Sequence, residues 1–290
     1  MKKNKKLSED LNTLENMLNV VQTYQEIAAM RMRRVKQSVL SSREFMDDLN
    51  NTFRRVTYAY ELYLKNVKKS KESGEIIHKN GKDVLVFLSS NMGLYGDIVR
   101  KTFKLFLSDV EKISSNTDLV IVGKVGRDMF LNANTNKNFT YFDLSDSGTD
   151  PANLSKILNL VLDYSHITVY HGIFKSVLSQ EATKSVVTGE AAELEREYEA
   201  MGEMTYLFEP SVERIADYFA NEILSSVFEQ ETFEANLSKF SSRMVSLYSA
   251  SDNIQDSLKK VDFSLKKYNH KVLNSKQIAI LSGINLWSKA

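Results

Sequence analysis

Two glycine-bearing turns and four histidines are the residues of this chain whose types and spacing could do chemistry. Gly93-Leu94-Tyr95-Gly96 follows an apolar run and resembles a fragment of a loop that cradles phosphate on its backbone N–H groups. It lacks the full G-x-G-x-x-G spacing and no Lys-Ser/Thr pair directly follows Gly96, so no nucleotide site is expected there. Gly123-Lys124-Val125-Gly126-Arg127-Asp128 also follows an apolar run. It could bind an anion, but a strand-to-helix turn with an Arg127–Asp128 ion pair is the more frequent outcome of such a sequence. The histidines are His78, His166, His171 and His270; no pair has i,i+4 spacing, and the chain has 0 cysteines. A metal site is not expected from that set, and disulfides and thiolate chemistry are excluded. With no G-x-S-x-G elbow and no well-placed carboxylate pair, the chain is expected to be non-catalytic and to carry no cofactor.

The elements that would position these residues fall into three parts. Residues 1–72 hold a seven-residue repeat. One row reads Leu7, Leu14, Val21, Ala28, Val35, Ser42, Leu49, Val56, Tyr63, and the second Leu11, Leu18, Gln25, Met32, Val39, Met46, Phe53, Tyr60, Val67. Only Ser42 and Gln25 interrupt an otherwise apolar a/d seam, which predicts a long coiled-coil helix ending before the turn at 70–74. Residues 209–290 repeat the pattern through Leu237, Met244, Ser251, Leu258, Leu265, Val272, Ala279 and through Phe240, Leu247, Ile254, Val261, Tyr268, Ser275. This helix is expected to start at Ser211, after Pro210. The first helix leads into the middle of the chain and the last leaves it, so a pairing between them must be antiparallel. At about 1.5 Å per residue the first helix would measure roughly 90 Å, which predicts a projecting rod. An ordinary bundle that folds both seams into a core, and a coiled coil with a second copy, are the alternatives.

Between them, 73–208 changes texture. Apolar runs at 83–88, 118–123, 139–142 and 167–170 alternate with helix-compatible stretches at 94–110 and 153–164. That alternation predicts a central Rossmann-like βαβ domain with a small, mainly parallel sheet, and a strand within 175–187 closing a hairpin. The fold class is thus α/β: a long antiparallel coiled coil of the terminal helices plus that central domain.

Charge separates along the chain although the net charge is only +1. Residues 188–234 hold 13 Asp/Glu against 2 Lys/Arg, whereas 1–72 hold 15 Lys/Arg against 9 Asp/Glu and 239–276 hold 8 against 3. The usual meaning is a solvated face, with 190–203 an exposed loop or helix; the functional one is a basic shaft within an acidic-lined cavity. Nothing global points to nucleic acid. The basic start is followed by Leu7-Ser8-Glu9-Asp10 rather than an apolar core, so no leader is expected, and no stretch approaches the roughly 18 apolar residues of a membrane span. One feature resists a bland explanation. Ile278-Ala279-Ile280-Leu281-Ser282-Gly283-Ile284-Asn285-Leu286-Trp287 is apolar all round, which at the end of a rod calls for an apolar sleeve supplied by partners.

Five segments, in order, carry a family resemblance. Ile27-Ala28-Ala29-Met30-Arg31-Met32-Arg33-Arg34 is similar to V-A-A-x-K-x-R-x-A, and Ser89-Ser90-Asn91-Met92-Gly93-Leu94-Tyr95-Gly96 to S-S-D-R-G-L-C-G. Ile121-Val122-Gly123-Lys124-Val125-Gly126-Arg127-Asp128-Met129-Phe130 is close to I-G-K-K-G-R-D-F-F, and Tyr206-Leu207-Phe208-Glu209-Pro210-Ser211 to Y-x-F-E-P-S/D. Arg243-Met244 followed by Ala250-Ser251-Asp252-Asn253 matches R-M-x-A-M-x-x-A-T-x-N-A. The chain resembles the gamma subunit of the F-type ATP synthase over nearly its whole length.

The resemblance implies a central rotor shaft whose paired helices enter a hexamer of alpha- and beta-type ATPase subunits, where ATP is bound and cleaved. It implies that Arg31, Arg33, Arg34 and Asn253 contact the beta subunits, and that Ile280, Leu281, Ile284, Leu286 and Trp287 turn in an apolar bearing. It further implies that the central domain binds an epsilon-type subunit and a membrane rotor ring, at the cytoplasmic face of the cell membrane. Departures such as Asn91-Met92 for Asp-Arg, and Val272-Leu273 for Arg-Gln, leave room for a gamma-like shaft of a derived motor that drives another process, such as gliding motility.

Overall fold

The structure is a computed structural model that describes residues 2–67, 80–113, 116–133, 135, 137–146, 151–188 and 212–287. Its elements in order are α1 (Lys2–Val67), β1 (Asp83–Leu88), α2 (Ile98–Val110), β2 (Thr117–Val122), α3 (Lys124–Asn132), β3 (Thr140–Phe142), α4 (Pro151–Val161), β4 (His166–Phe174), β5 (Gln180–Thr188) and α5 (Val212–Trp287). The turn at 70–74, the acidic stretch 190–203, the start of the last helix at Ser211, His78 and the 206–211 motif lie outside the described residues. The chain divides into two compact units: Met1–Ala29 with Met244–Ala290, and Met30–Arg243.

The larger unit holds a five-stranded sheet ordered β3-β2-β1-β4-β5. β1 runs parallel to β2 and to β4, β2 parallel to β3, and β5 antiparallel to β4. Residues 84–88 of β1 and 119–122 of β2 are unbroken Val/Leu/Ile/Phe runs because helices cover both faces of the sheet. On one face α2 and α3 pack Ile98, Phe103, Phe106 and Phe130 against Phe87 and Ile121, together with Val35 and Val39 of α1 and Leu237 and Phe240 of α5. On the other, α4 packs Leu154, Ile157 and Val161 against Val84, Val86, Val120 and Val169, together with Leu224 and Phe228 of α5.

Two boundaries have local causes. α2 begins at Ile98 rather than 94, because Leu94 (φ 65°) and Gly96 (φ 60°) put a left-handed turn ahead of it. Gly123 precedes α3 at φ 100°, and a Cβ there would stand 2.8 Å from the Ser90 backbone, so only glycine lets the two loops touch.

In the smaller unit the N-terminal part of α1 lies antiparallel to the C-terminal part of α5, with Asn4 Nδ2 donating to Asn269 Oδ1 at 3.0 Å. The heptad rows govern burial. Leu7, Leu11, Leu14, Leu18 and Val21 are half-buried between exposed neighbours, and so are Ile254, Leu258, Val261, Leu265, Tyr268 and Val272 across from them. The repeat also places Ser275 and Ala279 on that seam, but both are exposed. Past Asn269 the described part of α1 offers only two residues beyond Asn4, and residues 273–282 of α5 are exposed.

Candidate functional site

In a doubly wound sheet the ligand crevice opens at the carboxyl ends of the strands, where strand order reverses. Here β1 is that point, since the chain goes to β2 and β3 on one side and then to β4 on the other. The loop after β1, 89–96, is the segment whose glycines could have cradled phosphate. Several of its backbone groups are directed at the chain itself. The N–H groups of Asn91 and Met92 donate to Asp146 Oδ2, each at 2.8 Å. The carbonyl of Ser89 accepts from Lys239 Nζ at 2.8 Å. The carbonyls of Gly93 and Leu94 accept from Arg243 Nη2 and Nε at 2.6 and 3.2 Å.

Lys239 closes the arrangement with an ion pair to Asp146 Oδ1 at 3.2 Å, where both side chains are buried. Burial pushes the Lys239 ammonium below its ordinary value, and Asp146 opposes that fall by charge and by hydrogen bond. Arg243 stacks its guanidinium 4.0 Å from the centre of the Tyr95 ring. Burial first, then the Asp146 charge, pushes the Tyr95 hydroxyl well above the usual phenol range. Asn91 ties the flanks: its Nδ2 donates to the Leu144 carbonyl at 3.0 Å and contacts Asp143, and its Oδ1 accepts from Lys124 N at 2.9 Å. What remains of the crevice is a cavity of about 10 Å³ between Leu88, Val122, Leu144, Thr232 and Lys239. That is room for one water molecule. The strand-to-helix turn after β2 does form, with Arg127 Nη2 2.9 Å from Asp128.

Residues 234–243 of α5 are buried around the whole helix circumference, although seven of the ten are polar. The hairpin supplies partners on the remaining side. His171 Nε2 lies 2.6 Å from Glu231 Oε2 and 3.0 Å from Ser185 Oγ, while its Nδ1 faces the Gly172 carbonyl at 3.2 Å. Both partners meet one ring nitrogen and the ring is 1% exposed, so this Ser-His-Glu contact lacks the geometry and access of a nucleophilic triad. Ser241 Oγ donates to the Val177 carbonyl at 2.9 Å and accepts from Gln180 Nε2 at 3.1 Å.

The structure divides the residues singled out from sequence. Arg31 is half-buried with its guanidinium 5.9 Å from the centre of the Phe240 ring, whereas Arg33 and Arg34 are exposed. Asn253 is exposed on α5. Ile278, Ile280 and Leu281 are exposed by 57%, 63% and 62%, the apolar surface that a helix end without a partner would leave. The helix continues through Trp287, and the side chains of Ile284, Leu286 and Trp287 lie outside the described residues. His166 bonds Asp83 at 2.9 Å and His270 is exposed. Lys239 and Asp146 were not singled out. The available signal was Lys239 itself, the only cation between Arg214 and Arg243, set among Ser238, Ser241 and Ser242.

Comparison with known proteins gives this architecture a family. A profile described as ATP synthase matches residues 3–285. The chain is 20% identical to the ATP synthase gamma chain of Ruthia magnifica and 22% identical to that of Rickettsia bellii, in each case over 96% of this chain and 97% of the relative. Among solved structures, its fold resembles a chain of the Euglena gracilis mitochondrial ATP synthase rotor, with TM-score 0.60 at 15% identity over 94% of this chain and 99% of that one. It also resembles a chain of the Tetrahymena thermophila mitochondrial ATP synthase central stalk and c-ring, with TM-score 0.54 at 17% identity over 80% and 99%. The chain belongs to the ATP synthase gamma-chain family.

Proposed function

We propose that this chain is the central shaft of a rotary ATPase, turning within a hexamer of alpha- and beta-type subunits and coupling their ATP turnover to rotation. The observation that carries this is the end of α5: a helix paired along an apolar seam as far as Val272, then bearing Ile278, Ile280 and Leu281 exposed. A helix end of that character is stable in water only as a local cost, and an apolar sleeve removes it. Family membership supports the same role. Ile280, Leu281, Ile284, Leu286 and Trp287 are the bearing tip. Exposed Arg33, Arg34 and Asn253 contact beta-type subunits, with Arg31 doing so only from its place over Phe240. Residues 1–72 and 209–290 form the shaft, and 73–208 is the body that docks an epsilon-type subunit and a membrane rotor ring.

Catalysis belongs to the hexamer and not to this chain, a division supported by a switch point filled with the chain's own Asp146 and Lys239. No described helix is long and apolar enough to cross a membrane. Family membership supports a place for the chain at the cytoplasmic face of the cell membrane, as a peripheral subunit of its complex. Purification of the tagged chain under mild conditions should recover alpha- and beta-type subunits, each in three-to-one excess. Recovery of a lone monomer would contradict the proposal.

A further inference from the structure

The carboxylate of Asp146 sits where a doubly wound domain holds the phosphate of its ligand: beyond the end of β1, on the backbone N–H groups of the first loop. It comes from a different loop, 54 and 55 residues away from its two amide donors, and is 5% exposed. Its two oxygens have separate work. Oδ2 takes both amides at 2.8 Å, and Oδ1 takes Lys239 Nζ at 3.2 Å. Hydrogen bonds to an ionised acceptor are the strong ones, so the amides hold the anion independently of the lysine. A simple buried ion pair would need only the second contact.

We propose that the amides of Asn91 and Met92 form an anion site whose resident ligand is the chain's own Asp146, and that Lys239 clamps α5 to the sheet through that bound anion. The site takes a small oxyanion, a carboxylate or phosphate, and vacating it makes it available to one from solution. Because Lys239 is on α5 and the amides are on the β1 loop, the anion is a joint between helix and sheet beside the direct bonds of Lys239 to Ser89 and of Arg243 to Gly93 and Leu94. Asn91 serves the site by holding its rim, with bonds to the loops after β2 and β3. This inference concerns the chain alone and stands apart from the shaft proposal.

The test is chemical rescue of the full-length Asp146→Ala chain. Thermal midpoint and amide exchange at 91, 92 and 236–243 are followed in formate, acetate, phosphate or chloride at equal ionic strength. Formate is expected to raise the variant's midpoint saturably and to slow exchange at 91 and 92 at least tenfold, with no such effect on the wild-type chain, whose site is taken. A contribution from phosphate would show that the vacated site admits a tetrahedral anion as well as a planar one. Equal exchange at 91 and 92 in all four salts would overturn the proposal. If Asp146→Ala does not fold, Lys239→Met decides. Protection at 91 and 92 within twofold of wild type, with tenfold faster exchange at 236–243, supports an anion held by the loop. Loss of protection at 91 and 92 along with the helix would make Asp146 merely the counter-charge of Lys239.

Discussion

Two segments of α5 are held in opposite ways. Its residues 234–243 have no exposed face and are gripped by directed polar contacts: Lys239 to Asp146 and Ser89, Arg243 to Gly93 and Leu94, Ser241 to Val177. Its residues 254–272 are held by half-buried apolar residues of the heptad seam, and the described polar contact with α1 along that stretch is between the half-buried Asn4 and the exposed Asn269. Hydrophobic contact is non-directional, whereas hydrogen bonds to fixed carbonyls specify one axial and rotational position. One helix thus carries a keyed segment and a smooth segment. The shaft proposed for this chain would use both properties: directed contacts resist slip, and a smooth apolar row sets no specific snag.

Removal of Phe240 should give the largest effect. Its ring is fully buried in the keyed segment, and Phe240→Ala should cost about 3–5 kcal/mol in urea unfolding. Leu258→Ala, on the half-buried seam, should cost roughly half of that or less. Equal costs would erase the contrast between the segments. Next comes Gly172→Ala, because the added Cβ would stand 2.4 Å from Ser238 Oγ and 2.7 Å from Ile98 Cγ1. Both atoms sit in packed surroundings, so overpacking should cost about 1–3 kcal/mol and move α5 off the hairpin. Unchanged exchange at 236–243 in that variant would show that the keyed segment tolerates slack.

A smaller effect is expected from acid. The hydrogen bond from Lys184, 2.8 Å away, then that from Tyr170, holds the Asp109 carboxyl below its ordinary 3.8. A folded value below the unfolded one means stability that is present above about pH 4 and lost as pH falls through the folded value. Asp109→Asn should therefore flatten the acid limb of the stability curve, by less than about 1 kcal/mol for so open a pair. Tyr164 marks the alkaline side. Burial, and then its bond to Asp118 at 2.8 Å, pushes its hydroxyl up to about 12. Its contribution is fully present below pH 10 and is lost as pH rises towards 12, which Tyr164→Phe should abolish. The smallest effect on the chain itself should come from Ile280→Ser with Leu281→Ser, within about 0.5 kcal/mol because both are exposed. The same change should weaken retention in the complex measurably, and unaltered retention would remove these two from the bearing.

Much of this was legible in the sequence, for physical reasons. Period-seven apolar rows dictate which helix face is buried, and the rows through Leu7 and Leu11 do so at every described position. Runs such as Val84-Leu85-Val86-Phe87-Leu88 could only be strands covered on both sides. The keyed segment was not legible. A stretch with Ser238, Lys239, Ser241, Ser242 and Arg243 reads as solvated, and its burial depends on Asp146 and on loops far away in the chain. The left-handed turn at Leu94 is likewise unusual for a non-glycine residue, and its carbonyl is held by Arg243 from far along the chain.

Turning of the chain inside the hexamer can be watched with an attached probe. The chain has 0 cysteines, so Leu178→Cys, at a hairpin position 83% exposed, gives a unique attachment point for a probe. With the hexamer immobilised and ATP supplied, the probe is expected to turn continuously in one direction. A probe that only fluctuates about one position while the hexamer hydrolyses ATP would contradict the account.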